Sequence, residues 1–385
     1  MRFPGFIGEW EKRYLANYLR VHPERNVESE FNREDVLSVS GDYGVVNQIE
    51  LLGRSFAGKD VSNYHVVRKG NIIYTKSPLK EFPYGIVKMN KGSDGIVSTL
   101  YAVYDVKDTA YGEFIEQYFA SADRANRYFK PIVRIGAKHD MKIGNDEVLH
   151  NKVAFPSLSE QRRIADFLRH IDERISIQNK IIEDLKQLKT GIENKCFGSL
   201  SGRRCSLEDI LIERIVKTTR NNQHDILSST VNGIFNQKEY FNKEVASANN
   251  TGYKVIYKDD IVLSPQNLWM GNINYNNRFD IGIVSPSYKV FSINEGFDKQ
   301  FIASLLKSSR AIWMYSFVSE QGASIVRRNL NFDSFMQLSF PIPELREQKR
   351  IGKAIFAVAE KISLEEDARK SLEKQKKTLL SQMFI

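Results

Sequence analysis

The stretch PELREQKRI at residues 343–351 repeats PSLSEQRRI at residues 156–164 with a shift of 187 residues. Pro156 falls on Pro343, Leu158 on Leu345, Glu160-Gln161 on Glu347-Gln348, Arg163 on Arg350 and Ile164 on Ile351. The same shift carries Glu173 onto Glu360, Leu185 onto Leu372 and Phe197 onto Phe384. Far upstream it lays GIVSTLYAV (95–103) on GIVSPSYKV (282–290), and Phe114-Ile115 on Phe301-Ile302. Separated matches at one offset mark a tandem duplication. The period is far longer than the ~20–50 residues of solenoid repeats, so each copy is a whole globular unit followed by a helix. One chain thereby imitates a two-fold dimer, which suits a partner with two halves.

Downstream of each repeated entrance, apolar residues alternate at intervals of four and three. The first arm gives Ile164, Leu168, Ile171, Ile175, Ile182, Leu185 and Ile192; the second gives Ile351, Ile355, Val358, Ile362, Leu372 and Leu379. This is the heptad seam of a coiled coil. Both arms interrupt it at the same places, with Gln178 and Glu365 and then Lys189 and Lys376. Polar seam residues lower stability and fix register. Either arm alone also reads as an ordinary, imperfectly amphipathic helix; the matching interruptions favour an intramolecular pair. Ser157 followed by Glu160 has capping-box spacing, which the second arm lacks. About 33 residues per arm at ~1.5 Å each make a rod of roughly 50 Å, long enough to act as a spacer.

The expected fold is α+β: two pseudo-symmetric α/β domains separated by two long antiparallel helices that form a coiled coil. The boundaries read from the sequence are 1–155 and 201–342 for the domains, with 156–200 and 343–385 for the helices. Strand-like runs in the domains include NIIYT (71–75), GIVSTLYAVY (95–104), DIVLS (260–264) and GIVSPSYKVF (282–291). Between them lie turn-rich loops, KEFPYGIVKMNKGSDG (80–95) and PQNLWMGNINYNNRFD (265–280). Later loops read RIGAKHDMK (134–142) and QGASIVRRNLN (321–331).

Arg and Lys bond guanine edges or phosphates, and Asn and Gln bond adenine in bidentate fashion. On that chemistry the candidate DNA contacts are Lys88, Asn90, Lys91 and Lys138 in the first copy. In the second they are Asn267, Asn272, Asn274, Asn277, Arg278, Arg327, Arg328 and Asn329. Taken singly, each asparagine is more readily read as a turn former. The frameworks of the two copies match while their loops differ, so two DNA-reading domains would read different sequences.

The charge balance, 56 Lys+Arg against 47 Asp+Glu for a net +9, favours a polyanionic partner such as nucleic acid or an anionic membrane surface. No run approaches the roughly 18 apolar residues of a membrane helix. MRFPGFIGEW (1–10) has no signal-peptide core, so the expected compartment is the cytoplasm. Cys196 and Cys205 are too few for a disulfide framework or a four-cysteine zinc site. FAGKD (56–60) lacks phosphate-loop spacing, the histidines do not fall at metal-ligand intervals, and no amino-methyltransferase tetrapeptide of the NPPY or DPPY type occurs. No catalytic or metal-binding residue is assigned. A duplicated chain without duplicated catalytic residues reads as a binding and assembly protein.

Three features together resemble the specificity (S) subunit of type I restriction–modification systems across nearly the whole chain. They are RFPGFIGEWEKRYL (2–15), the paired P-x-L-x-E-Q-(R/K)-R-I entrances with their helices, and SPSYKVF (285–291) with QGASIVRRNLNF (321–332). The first copy departs from that last motif beyond Gly136-Ala137, the counterpart of Gly322-Ala323. The resemblance implies two target-recognition domains, each reading one half of a bipartite site in double-stranded DNA, with the helices setting the gap. It also implies two methyltransferase (M) subunits docked on the helices and restriction (R) subunits in the full complex. No cofactor is then expected in this chain: S-adenosylmethionine belongs to the M partner, and ATP and Mg to the R partner. The competing readings are a self-contained DNA nuclease or methyltransferase with unfamiliar motifs, and a coiled-coil scaffold for proteins only.

Overall fold

β-Branched and aromatic side chains suit a pleated, half-buried surface, and the runs rich in them form the strands of this structure. It is a computed structural model and describes residues 2–135, 141–238, 249–321 and 327–384. By its contacts the chain divides into unit 1, Met1–Asn179 with Asp367–Ile385, and unit 2, Lys180–Glu366. Both long helices, Leu158–Gly198 and Leu345–Met383, are shared out between the units. Each unit therefore owns the start of one helix and the end of the other. Among the described residues no helix is long and apolar enough to cross a membrane.

Unit 1 centres on an antiparallel sheet with strand order Leu19–Val21, Tyr101–Val106, Ile72–Thr75, Val87–Met89. Smaller pairs surround it: Glu11–Tyr14 with Lys152–Phe155, Leu37–Ser40 with Gly44–Asn47, His65–Val67 with Gly95–Val97, and Arg134–Ile135 with Met141–Lys142. Unit 2 repeats this element by element. Its sheet runs Leu211–Glu213, Lys289–Ile293, Ile261–Leu263, Ile273–Tyr275. Its pairs are Arg203–Ser206 with Ser339–Ile342, Leu227–Thr230 with Gly233–Asn236, Lys254–Tyr257 with Ile281–Val284, and Ser319–Gln321 with Arg328–Leu330. Helices Gly112–Phe119 and Ala122–Phe129 correspond to Lys299–Leu306 and Ser309–Phe317. The duplication read from a few short matches thus extends to the whole topology.

Two sequence-based expectations are corrected. The segments 80–95 and 265–280 are not loops throughout, because each contains an edge strand, Val87–Met89 and Ile273–Tyr275. Their V-K-M and I-N-Y alternation is too short to stand out from the turns on either side. Glu160 does not close a capping box with Ser157. It is fully buried, its carboxylate pairs with the Arg2 guanidinium at 2.9 Å and accepts from the Phe3 backbone N–H at 3.3 Å. The start of the chain is thereby fastened to the start of the first helix.

Gln161 and Gln348 explain the duplicated Glu-Gln. Gln161 is fully buried, accepts from the Tyr111 N–H (3.0 Å) and donates to the Pro156 carbonyl (3.0 Å). Gln348 does the same with the Asp298 N–H (2.9 Å) and the Pro343 carbonyl (2.9 Å). Tyr111 and Asp298 are the N-caps of matching short helices. One amide thus ties the entrance of each long helix to the domain it leaves, and satisfies buried backbone groups that would each cost about 1–3 kcal/mol unpaired.

The far ends of the long helices are also anchored. Phe384 is 2% exposed and packs on Phe114, Tyr118 and Trp10 in the core of unit 1. Arg124 stacks on its ring at 4.8 Å and donates to the Phe384 and Leu380 carbonyls, supplying the donors a helix C-terminus lacks. The repeat-mate Phe197 is 3% exposed and meets Phe301 edge-on in the core of unit 2. Burying each such ring contributes about 1.5–3 kcal/mol.

Along the helices, Ile164, Leu168, Ile182, Ile351, Ile355 and Ile362 are buried; Ile171, Ile175, Leu185, Val358 and Leu372 are half-buried. Among the described residues each unit has an ion pair across the helices, Asp172–Lys376 in unit 1 (2.5 Å) and Lys186–Glu366 in unit 2 (2.7 Å). The partner number falls as the first rises, so the helices run antiparallel. Lys376 reaches across, whereas Lys189 pairs with Glu193 on its own helix. The repeat-mate of Asp172 is Ala359, which offers Lys189 no carboxylate.

Candidate nucleic-acid interface

In unit 2 the turn Pro265–Met270 packs against the hairpin Ser319–Gln321/Arg328–Leu330 and leads into the edge strand Ile273–Tyr275. Lys307, at the C-cap of the helix Lys299–Leu306, clamps this region from beneath. Its ammonium donates to the carbonyls of Val231 (2.8 Å) and Gly271 (2.6 Å) and to Asn274 Oδ1 (2.9 Å). Burial pushes its pKa down to about 8, with Lys189 adding a smaller push the same way.

The sequence-derived contacts separate into two groups here. Asn277, Arg278, Arg327 and Asn329 are exposed, and Arg278 lies over the Phe279 ring at 5.5 Å. Arg328 is half-buried, with its guanidinium 4.2 Å from the centre of the Trp269 ring. Asn267 is half-buried, and its Oδ1 is buried without a hydrogen bond. Asn272 and Asn274 are not available to a duplex. They are 3% and 7% exposed and spend their amides on Ser229, on the Thr230 carbonyl and on each other. Both face inward onto Ser229 and Thr230; in sequence they look the same as Asn277.

Unit 1 diverges further. Asn90 is 1% exposed and closes its own turn, accepting from the Gly92 N–H and donating to the Ser93 carbonyl. Lys91 pairs with Glu116 at 2.7 Å. Lys88 is half-buried, and desolvation lowers its pKa, with Glu116 pulling the other way. Of these, Asn90 is buried in its turn, whereas Lys88 is half-buried and Lys91 exposed; Lys138 lies outside the described residues. What unit 1 presents instead was missed in the sequence. A cavity of about 740 Å³ is lined by Phe31, Arg33, Ile49, Arg54, Lys59 and Asp60. Beside it Arg54 stacks on exposed Phe56 at 4.6 Å, and the hairpin Leu37–Ser40/Gly44–Asn47 carries exposed Tyr43 at its tip. The signal available was the alternation of basic and aromatic residues over 43–59, set among turn residues.

A family model described as the type I restriction modification DNA specificity domain matches residues 33–187 and again 212–374. The chain is 23% identical over 269 residues to a Methanocaldococcus jannaschii protein provisionally named the type I restriction enzyme MjaX specificity subunit. That match covers 64% of this chain and 61% of the relative, so the aligned part is less than two thirds of the relative's length. The S subunit of a type I restriction–modification system from M. genitalium, known from its crystal structure, has the same fold. The TM-score is 0.63 at 15% identity, over all of this chain and 98% of that one. A chain solved in work on complex assembly and conformational transition of the type I R-M system gives 0.50 at 14% identity, over 98% and 97%.

Proposed function

This chain belongs to the family defined by the type I restriction modification DNA specificity domain, and we propose that it is the non-catalytic DNA-recognition subunit of such a complex. Each unit reads one half of a bipartite site in double-stranded DNA. The observation that carries this reading is one topology, built twice, that presents two unlike sets of basic and amide side chains. In unit 2 these are Asn277, Arg278, Arg327, Arg328 and Asn329; in unit 1 they are Arg33, Arg54 and Lys59. Arginine and lysine supply salt-dependent phosphate attraction, and side chains at base edges supply discrimination.

The helices are the docking surface for two methyltransferase subunits and the element that fixes the gap between half-sites. Ile177 and Leu188 on the first helix and Leu364 on the second are 60%, 52% and 60% exposed, which supports a protein partner there. S-adenosylmethionine then sits on the methyltransferase, and ATP and Mg on a restriction subunit that joins the complex in the cytoplasm. The test is to purify the tagged chain from its own cells at low salt and weigh the assembly by native mass spectrometry. Two copies of one methyltransferase per chain are expected. Repeated recovery of a lone chain, active by itself with magnesium or S-adenosylmethionine, would replace this reading with that of an enzyme.

A further inference from the structure

Unit 2 carries an exposed aromatic pair that plays no part in the fold or the contacts above. On the helix Ser309–Phe317, Trp313 is 63% and Phe317 68% exposed, and their rings meet edge-on with centroids 4.6 Å apart. Residues four apart share a helix face; the other face holds Ala311 and Tyr315, both fully buried. A Cβ on Gly271 would come within 2.9 Å of Ile312 Cδ1, so the turn carrying half-exposed Met270 is pressed against this same helix. At its C-terminal end the helix passes through Val318 directly into the strand Ser319–Gln321, whose partner strand carries Arg328 and Asn329. Arg310, one turn before Trp313, is exposed, as is Arg327; Glu320 is the exposed acid in this group.

Large aromatics left in water mark a contact surface. The arginines around this pair outnumber the carboxylate, and the surface is continuous with the hairpin that bears Arg327, Arg328 and Asn329, so a polyanion with flat apolar faces fits better than an uncharged protein groove. The shift of 187 places Asn126 and Lys130 at the equivalent positions of unit 1. The feature therefore belongs to one half of the molecule and not to the shared framework.

We propose that Trp313 and Phe317 form a wedge that stacks against an unstacked base step in the half-site read by unit 2, while unit 1 engages its half-site without one. The proposal rests on the reading of each unit as a DNA-recognition domain. Insertion of apolar side chains between base pairs unstacks and kinks the duplex. The energy of that distortion depends on the step, and pyrimidine–purine steps yield most easily. One half-site would then be selected partly by deformability, at a position where no side chain hydrogen-bonds a base.

The test uses the methyltransferase complex carrying this chain, and duplexes containing the motif mapped by sequencing modified bases in its cells. 2-Aminopurine is placed in turn at each step other than the methylated bases. The unaltered complex is expected to raise fluorescence at one step of one half-site. The double variant Trp313→Ala/Phe317→Ala should abolish that rise and weaken binding by about tenfold, with subunit composition unchanged. Binding retained to within about twofold, with no Trp313-dependent rise at any step, overturns the wedge. Loss of the methyltransferase from the variant complex also overturns it and assigns the pair to a protein contact. Arg327→Ala/Arg328→Ala, measured in parallel, separates the two readings. If that variant weakens DNA binding and the aromatic variant does not, only the wedge falls. If neither matters, the DNA reading of unit 2 falls with it.

Discussion

Gln348 joins a helix entrance to a helix N-cap through one buried amide, and the chemistry of that amide is testable. Gln348→Glu keeps the shape and the acceptor for the Asp298 N–H but cannot donate to the Pro343 carbonyl while ionised. It should destabilise unit 2 by about 2–4 kcal/mol, as much as Gln348→Ala, because a charge is buried beside an unsatisfied carbonyl. Trp269 and Trp313, both in unit 2, report its unfolding by fluorescence; a melting curve unchanged by Gln348→Glu would refute the role. In unit 1, His65 is 3% exposed, and burial, helped by Arg25 and Lys76, pushes its pKa from 6.5 to about 4. Between those values the unfolded chain holds the extra proton, so stability falls as the pH drops from 6.5 towards 4, by on the order of 3 kcal/mol. His65→Gln should flatten that part of the pH–stability profile in calorimetry; an equally steep fall would place the titration elsewhere. Neither residue's role was legible in the sequence. Gln161 and Gln348 were visible only as a repeated letter, and Asn90, Asn272 and Asn274 passed as loop donors because tertiary hydrogen bonding, and not local sequence, decides which asparagines face inward.

The seam of the long helices was readable because a heptad repeat needs only local periodicity, and its positions, from Ile164 to Leu379, are buried or half-buried. The edge strands were not, since a three-residue alternation carries too little pattern to outweigh the turns beside it. The short helices show a further limit. Gly352 and its repeat-mate Ala165 both lie where a long helix leaves its domain, yet only the first must be glycine. A Cβ on Gly352 would lie 2.6 Å from the Phe301 nitrogen and 2.7 Å from the Asp298 carboxylate that caps the short helix. Unit 1 has Tyr111 in place of Asp298 and no side-chain cap, and there Ala165 is accommodated at 1% exposure. Gly352→Ala should therefore cost about 1–3 kcal/mol through overpacking against a helix-propensity gain of about 1 kcal/mol, a net destabilisation of up to about 2 kcal/mol. Ala165→Gly should cost about 1 kcal/mol or more through propensity and lost packing. Stabilisation by Gly352→Ala in urea unfolding would mean that the short helix moves aside freely.

For the whole molecule, the duplication predicts that the two copies are interchangeable in framework and separate in reading. On the proposed reading the helix pair is a ruler whose length is set by residue count. Asp172–Lys376 and Lys186–Glu366 bracket a stretch of each helix into which residues can be inserted without touching either domain core. One heptad added to both stretches keeps the apolar seam in phase. At ~1.5 Å per residue it lengthens the pair by roughly 10 Å, which is about three base pairs at ~3.4 Å each. The methylated motif mapped in cells carrying the altered chain should keep both half-sites and gain about three unspecified base pairs between them. A heptad added to one helix alone puts its partner out of register and should abolish methylation, because both helices then lose their anchors, Gln161 with Phe384 at one end and Gln348 with Phe197 at the other. A double insertion that leaves the gap unchanged would show that the spacing is set by the domains' loops or by the methyltransferases, and the helices would keep only their role in assembly.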